Sequence, residues 1–385
     1  MMSSGLPLSR GNVMSASNPD FSLFFESPPP APPKAAKIPQ DPSAFLIPFA
    51  ARRVGFLREW ELLRPLGDVR GSVRLWLGVR LGGGGGLAAV KIVRKRLLRS
   101  VAAGTALARE IELHALATGA PHVIPLLEAW EESGGEEEGC GEGLWAGGND
   151  TGPYVALVLP FYEKGDLGSF LRARVETRAP PGEARLILRQ LLQAVAALAK
   201  RGIVHGDINP ANVLILSTSQ GRGGAHEVSD ISLCDFGASR YSTSSPPPPS
   251  ESSESSDFYG VYGTLGFIAP EIFRQQPSTG LPSDVWSIGC LFYELQAGYA
   301  PFMPYRLPLE ATWPLPWPQP AATGIDDASG DAGQWLSVNA RDLAARMLDT
   351  DPARRITAAE ALDHAYFYEI DTPRRDMSRS SSIYE

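Results

Sequence analysis

The amino-acid sequence predicts an α+β protein in which a small β-rich lobe precedes a larger, mainly helical lobe. Between residues 56 and 160, apolar residues occur in short runs separated by glycines and charges, which is typical of strands. After Pro160 they recur at spacings of three and four, which is typical of amphipathic helices. The chain has 385 residues, of which 43% are hydrophobic. It is therefore longer than one domain of about 100 to 200 residues and can bury a sizeable core.

The apolar runs of the small lobe predict four strands and one helix. Strands are expected at residues 73–79, 87–93, 123–130 and 154–159. A pentaglycine run from Gly82 to Gly86 predicts a hairpin turn between the first two strands. Leu107 and Ile111 lie four residues apart, which indicates a helix at 105–117.

The clearest element of the large lobe is a helix expected at 183–199. Its apolar residues fall on one face at helical spacing, namely Leu188, Leu191, Leu192, Val195 and Leu198. Further helices are expected at 283–297, 340–348 and 358–364. Stretches rich in glycine, proline or polar residues near 133–152, 217–226, 242–256 and 304–333 are expected to be loops or disordered inserts. The domain spans 56–368, with lobes at 56–160 and 166–368, between a disordered extension at 1–55 and a disordered tail at 369–385.

Charge, cysteine content and hydropathy argue against several classes of protein. A net charge of -8 argues against a nucleic-acid binder, which needs excess lysine and arginine to neutralise phosphates. The 3 cysteines are too few and too scattered for a disulfide framework or a CxxC zinc site. No uncharged apolar stretch reaches the roughly 18 residues of a membrane span. Because the start of the chain does not resemble a secretory signal, we expect a cytoplasmic or nuclear protein, with organelle targeting left open.

The segment from His205 to Asn212 contains the residues most suited to catalysis. Asp207 and Asn212 are five positions apart in a proline-containing loop before an apolar run, where side chains can converge on one point. An aspartate can serve as a base, and an asparagine oxygen can bind Mg²⁺. Asp235, in the sequence Asp235-Phe236-Gly237, follows the next apolar run and offers a carboxylate for the same metal.

These two motifs resemble the HRDxKxxN catalytic loop and the DFG motif of eukaryotic protein kinases. Lys91 closes a run that is similar to the VAIK strand of that family, and Glu110 falls at the helix position that pairs with this lysine. Later segments resemble further family motifs in the same order: Gly263-Thr264, Ala269-Pro270-Glu271, Ser283 to Gly289 and Asp351 to Thr357. The resemblance covers most of the chain and implies a bilobal protein kinase fold.

Two structural roles follow from the later motifs. The resemblance implies that Asp284 caps its helix and holds the backbone of the catalytic loop. It also implies that Arg355 forms an ion pair with a buried Glu271.

The resemblance further implies phosphoryl transfer from MgATP to a hydroxyl of a protein substrate, with Gly263-Thr264 favouring serine or threonine. Lys91, fixed by Glu110, would hold the α and β phosphates. Asn212 and Asp235 would bind Mg²⁺, and Asp207 would orient the hydroxyl and accept its proton. The remaining nucleotide contacts would be Leu66, Gly67, Gly71, Val73, Ala89, Leu159, Pro160, Tyr162, Asp166 and Leu214. The oligomeric state is undetermined.

Three positions depart from the family pattern. The glycine-rich loop is one residue shorter between Gly67 and Gly71 and has Val69 near the place of its middle glycine. Gly206 replaces the arginine that receives an activation-loop phosphate, so switching by that route is not expected. Asn209 stands where the family has a charged lysine, and we expect it to take part in catalysis at that position.

These departures leave two alternatives to an active protein kinase. A pseudokinase scaffold would retain the fold with weak or no phosphotransfer. A small-molecule phosphotransferase of the aminoglycoside type can also carry an HGDxxxxN loop, but it would not be expected to carry the later motifs.

Overall fold

The structure is a computed structural model that describes part of the chain. The described residues are 55–57, 59–67, 73–81, 86–95, 98, 101–132, 153–174, 178–221, 226–242, 263–274, 280–302, 317 and 336–369. The expected extension before residue 55, most of the expected inserts and the tail after residue 369 lie outside these ranges, as does Gly71.

A six-stranded antiparallel sheet forms the small lobe. Its strands are β1 (Gly55–Leu57), β2 (Trp60–Pro65), β3 (Val73–Arg80), β4 (Leu87–Arg94), β5 (Glu128–Glu132) and β6 (Tyr154–Pro160). Their spatial order is β1-β2-β3-β4-β6-β5. Strands β3, β4 and β6 begin where the sequence pattern predicts and end one residue later.

Side chains alternate along β4, so the sheet has two apolar faces. One face contains a cluster formed by Trp60, Leu62, Trp76, Ala88, Val90, Ile92, Trp130, Tyr154, Ala156 and Val158. On the other face, Val93 packs with Leu107 and Ile111 of helix α1 (Val101–Ala117). Lys91 is two residues from Val93, so its side chain leaves β4 on the face that α1 covers.

The strand predicted at 123–130 is wrong in its first half. Pro125 has no amide hydrogen to donate to a sheet ladder. The residues around it bond to the large lobe instead: Ile124 N donates to Leu233 O at 2.9 Å, and Leu233 N donates to His122 O at 2.8 Å. Regular pairing with β6 therefore begins only at Glu128.

Among the described residues, six α-helices pack in the large lobe. They are α2 (Leu167–Ala173), α3 (Pro181–Lys200), α4 (Pro270–Phe273), α5 (Leu281–Ala297), α6 (Val338–Met347) and α7 (Ala358–Leu362). All five apolar residues of the predicted face of α3 are buried. Helix α5 is buried along almost its whole length, which explains why its apolar residues are not confined to one face. None of the described helices is long and apolar enough to cross a membrane. The predicted bilobal α+β architecture is confirmed.

The prediction of a loop or insert at 217–226 is wrong at both ends. Strand β8 (Val213–Gln220) pairs with β9 (His226–Leu233) to form an antiparallel hairpin, and only 222–225 lie outside the described residues. The polar side chains are accommodated because they find partners. Ser217 Oγ and Ser229 Oγ are 2.8 Å apart, and Gln190 of α3 bonds to the backbone of β9.

Two residues at the edges of other expected loops are packed. Trp317, in the stretch expected to be an insert at 304–333, stacks on Tyr293 of α5 with ring centroids 4.5 Å apart. Glu369, expected to begin the disordered tail, accepts hydrogen bonds from Ser337 Oγ at 2.8 Å and Asn339 Nδ2 at 2.7 Å. These contacts join α5 and α6 to segments whose composition predicts loops.

Candidate active site

The two lobes are joined by the segment that follows β6. Ala89 of β4 pairs with Leu159 of β6, and Asp166 at the far end of the segment forms a bridge with Leu214 of β8. The residues expected to contact the nucleotide here are half-buried, namely Val73, Ala89, Leu159, Pro160, Tyr162 and Leu214. The segment between the lobes is therefore lined by half-buried, mainly apolar residues from both lobes.

Three further expected nucleotide contacts, Asp166, Leu66 and Gly67, lie outside this apolar group. Both carboxylate oxygens of Asp166 are engaged with Ser169, because Oδ1 accepts from its amide and Oδ2 from its hydroxyl, each at 2.7 Å. This aspartate therefore caps α2. Leu66 is half-buried, and Gly67 is exposed with φ 77° at the end of the described part of the glycine-rich segment.

Lys91 is held by carboxylates from both lobes. Its Nζ lies 2.5 Å from Glu110 Oε1 on α1 and 3.6 Å from Asp235 Oδ1. Burial opposes the charged ammonium, but the two carboxylates outweigh it and raise the pKa of Lys91 above its usual value. The side chain is therefore a fixed positive charge at the face of the sheet.

Asp235 occupies a strained turn at the end of β9. Its φ of 65° lies in the left-handed region, which a non-glycine residue rarely adopts. Burial favours the neutral acid, but the charge of Lys91 holds the pKa of Asp235 below its usual value. The side chain is 50% exposed, so this carboxylate is ionised and open to a ligand. Strain of this kind is found most often where the position of a side chain matters for function.

Asp207 is held at a fixed orientation by two asparagines. Asn212 Nδ2 donates to Asp207 O at 2.9 Å and to Oδ2 at 3.0 Å. Asn209 Nδ2 donates to Asp207 Oδ1 at 3.0 Å. Asn212 is in turn joined to the Asp235 turn, because its carbonyl accepts from Cys234 N at 2.9 Å. The structure thus brings together the two motifs that are most informative in the sequence.

Thr264 also belongs to this network, although it is not among the residues expected to bind the nucleotide or act in catalysis. Its amide donates to Asp207 Oδ1 at 2.8 Å and its hydroxyl donates to the same oxygen at 2.7 Å. The hydroxyl also accepts from Asn209 Nδ2 at 3.0 Å. The motif Gly263-Thr264 is visible in the sequence, but nothing local indicates that it contacts a residue 57 positions earlier.

The catalytic-loop backbone rests on α5. His205 N donates to Asp284 Oδ2 at 2.7 Å, and Gly206 N donates to Oδ1 at 2.9 Å. Burial raises the pKa of Asp284, and these two amides oppose that rise by stabilising the carboxylate. Asp284 therefore holds the catalytic-loop backbone, as the resemblance implies. The expected helix cap is wrong, because α5 begins at Leu281 after Gly280 without a side-chain cap and both oxygens of Asp284 bond to the loop instead.

A stack of three rings links α1 to both motifs, and sequence reasoning missed it. The imidazole of His114 stacks on Phe236 with centroids 4.6 Å apart, and Phe236 meets His205 edge-on at 5.2 Å. His114 Nε2 lies 2.9 Å from the carbonyl of Ile124, which requires a proton on that nitrogen. Burial lowers the pKa of His114 to about 4, so the ring is neutral at pH 7.

Gly206 adopts a conformation that explains its residue type. Its φ is 82°, and a Cβ atom at this position would lie 2.6 Å from the carbonyl oxygen of Ala238. The guanidinium of Arg240 lies on the same side, with Nη1 3.1 Å from the place of that Cβ. Arg240 therefore places its side chain beside position 206, where kinases usually have an arginine. The sequence motif alone does not reveal this.

The residues present fit a phosphate-bearing ligand and a divalent cation. Lys91 supplies a fixed positive charge, while Asp235 and Asn212 supply the carboxylate and amide oxygens that hard cations prefer. Among the described residues no cluster of three or more His, Cys, Asp and Glu side chains could hold a metal. Asp235 and Asn212 form a candidate cation site because they supply such oxygens and are joined through the Cys234 amide.

Comparisons with known proteins agree with this geometry. A family model described as "Protein kinase domain" matches residues 77–367. CBL-interacting protein kinase 30 of Oryza sativa subsp. japonica is 29% identical over 59% of this chain and 42% of its own length. The liver/testis isoform of the phosphorylase b kinase gamma catalytic chain of Bos taurus is 29% identical over 67% of this chain and 53% of its length. Serine/threonine-protein kinase ppk23 of Schizosaccharomyces pombe is 32% identical over 57% of this chain and 55% of its length.

The chain thus spans about half the length of these relatives. The family model covers well over half of the chain and includes every described motif from β4 to α7. The chain belongs to the protein kinase family.

Proposed function

We propose that this protein is an active kinase that transfers the γ-phosphoryl group of MgATP to serine or threonine hydroxyls of protein substrates. The observation that carries the proposal is the position of Asp207. Its carboxylate is oriented by Asn209, Asn212 and Thr264. A backbone hydrogen bond from Cys234 to Asn212 joins this group to the Asp235 turn, beside Lys91.

Each side chain has a task that its environment supports. Lys91 remains charged because Glu110 and Asp235 raise its pKa, so it can bind the phosphates of the nucleotide. Asp235 and Asn212 supply oxygen ligands for Mg²⁺. Asp207 orients the acceptor hydroxyl and takes its proton. When bound, MgATP supplies the phosphoryl group and a cation that neutralises its charge.

Two observations support serine or threonine as the acceptor. Thr264 bonds to Asp207 through both its amide and its hydroxyl. In addition, the fission-yeast relative carries serine/threonine-protein kinase in its name. The match to that relative covers 57% of this chain.

A scaffold without phosphotransfer is the second candidate, and Asn209 favours it. This buried amide occupies the place of the lysine of related kinases and brings no charge toward a transferred phosphate. Loss of that charge weakens the electrostatic stabilisation of the transition state.

A transfer assay with radiolabelled ATP and a protein substrate tests the proposal. Asp207→Asn should lower incorporation at least ~100-fold, because general bases contribute about 10² to 10⁴ in rate. Asp363→Asn is the matched control, since Asp363 is exposed and far along the chain from the site. Equal incorporation by the wild type and Asp207→Asn, with both folded, would refute the enzymatic assignment.

Thermal unfolding with MgATP separates a kinase from a scaffold that binds no nucleotide. Ligand at about 100 times its Kd should stabilise the wild type by about 2.7 kcal/mol. Lys91→Met should reduce this stabilisation, whereas Lys95→Met should retain it because Lys95 pairs with Glu131 instead. The absence of any wild-type shift at millimolar MgATP would favour the scaffold.

A further inference from the structure

Tyr241 connects the segment after the Asp235 turn to α1. It belongs to the short strand β10 (Arg240–Tyr241), which pairs with β7 (Ile203–Val204). Its hydroxyl donates to Glu112 Oε1 at 2.5 Å across 129 positions of sequence. The backbone of Tyr241 is thus fixed on the large lobe while its hydroxyl holds a helix that packs on the small lobe.

The hydroxyl of Tyr241 is a stable donor and is reachable from solvent. The residue is 41% exposed. Partial burial and the Glu112 carboxylate raise the pKa of Tyr241 to about 12, whereas Arg109 opposes this rise. The phenol therefore keeps its proton at pH 7, and Arg109 already acts electrostatically on its oxygen.

Glu112 and Glu110 hold α1 from different directions. Residues two apart on a helix are separated by about 200° around its axis, because an α-helix has 3.6 residues per turn. Glu110 meets Lys91 of the small lobe, and Glu112 meets Tyr241 of the large lobe. A change at Tyr241 therefore acts on the helix that positions Glu110.

We propose that the hydroxyl of Tyr241 is a phosphorylation site whose modification shifts α1 and weakens the ion pair between Lys91 and Glu110. The modifying agents are MgATP and a tyrosine-directed protein kinase. The phenol oxygen forms a bond to the γ-phosphorus of ATP, the bond from that phosphorus to the β–γ bridging oxygen breaks, ADP leaves, and the phenol proton is released. The effect on activity rests on the proposed function of the site.

The direction of the shift follows from the charges on α1. Phosphorylation removes the donor hydrogen and adds a charge of about −1.5 to −2, which repels Glu112. Arg109 lies three residues earlier, on the same side of the helix, and attracts the phosphate. If α1 moves so that Arg109 takes the place of Glu112 opposite Tyr241, the helix is displaced by about 4.5 Å along its axis. Glu110 would move with the helix, and so away from Lys91.

Hydrogen exchange on the full chain with phosphotyrosine installed at position 241 tests the proposal. Amides of α1 should exchange at least ~10-fold faster than in the unmodified chain, and phosphotransfer should fall by a similar factor. Phosphotyrosine at position 368 is the matched control, because Tyr368 is 71% exposed and lies in the C-terminal 3₁₀ turn. Glu112→Gln should reduce the effect at position 241, since it removes the repelling charge.

Unchanged exchange in α1 on phosphorylation of Tyr241, or an equal change on phosphorylation of Tyr368, would overturn the proposal. An effect of the same size in Glu112→Gln would also count against it. If no form of the protein transfers phosphate, the proposed function fails, but the exchange rates of α1 still decide this inference.

Discussion

At the scale of single residues, one departure from the kinase pattern, Gly206, has a local physical cause. Gly206 has φ 82° and faces the carbonyl oxygen of Ala238. The family's arginine cannot simply be restored there, because the surrounding backbone has been built around a missing side chain. Arg240 occupies the neighbouring space instead.

We expect Gly206→Ala and Gly206→Arg each to destabilise the fold by about 1 to 3 kcal/mol or more, from backbone strain and the clash with Ala238. The measurement is urea unfolding at pH 7. Gly86→Ala is the control, because no atom lies within 4 Å of the place of its Cβ. If Gly206→Arg is as stable as the wild type, the loop readily adopts another conformation, which would contradict this expectation.

His114 should make stability depend on pH. Its folded pKa is lowered by burial from 6.5 to about 4, so the unfolded chain binds more protons between these values. The stabilisation is complete above pH 6.5 and is lost as the pH falls toward 4. Between pH 7 and pH 5, the wild type should lose about 2 kcal/mol more than His114→Gln.

Urea titrations at pH 7 and pH 5 measure this difference. Glutamine can still donate to the Ile124 carbonyl, and His226→Gln is the control because the side chain of His226 is exposed. Parallel losses in the wild type and His114→Gln would show that this ring does not set the acid stability.

At the scale of elements, α5 determines the conformation of the catalytic loop through one carboxylate. Asp284→Asn leaves a single acceptor oxygen for the two amides of His205 and Gly206. An unsatisfied buried amide costs about 1 to 3 kcal/mol. We expect a loss of stability of that size, with faster exchange of those amides and lower phosphotransfer.

Ser283→Ala is the matched control for this prediction. Its hydroxyl donates to Gly280 O at 2.8 Å, within the first turn of the same helix. The variant should lose little stability and keep the catalytic-loop amides protected. If both variants change the amide hydrogen exchange of His205 and Gly206 equally, the effect is caused by a general change in α5 and not by loss of the Asp284 carboxylate.

Periodicity predicts the elements well where one apolar face decides the structure. Strands β3, β4 and β6 and helix α3 are of this kind. It fails at β8 and β9, where polar residues form a hairpin because Gln190 of α3 supplies hydrogen-bond partners from 39 or more positions away. It also fails before β5, where the chain bonds to the other lobe.

At the scale of the whole molecule, a buried ion pair joins distant segments of the large lobe. Arg355 Nη1 and Nη2 donate to Glu271 Oε1 and Oε2 at 2.6 Å and 2.8 Å, and both side chains are fully buried. Arg355 also donates to the carbonyls of Pro282 and Asp349. One guanidinium therefore contacts α4, the start of α5 and the segment after α6.

Arg355→Met should destabilise the protein by about 3 to 5 kcal/mol, because it leaves the Glu271 carboxylate buried without its partner. Thermal and urea unfolding measure the change. Arg354→Met is the control, since its side chain is 76% exposed, and it should change stability by less than about 1 kcal/mol. Adding Glu271→Gln to Arg355→Met should recover part of the loss. Similar losses from the two single arginine variants would contradict this assignment.

The sequence by itself determined the family, the order of the lobes and the residue types of the site. Local motifs and apolar spacing carry that information, because each depends on residues a few positions apart. Only the tertiary structure decided which of these groups meet. Thr264 reaches Asp207 across 57 positions, and Tyr241 reaches Glu112 across 129. Such contacts depend on how the lobes pack and on which polar groups are left to be paired, and no local periodicity encodes them.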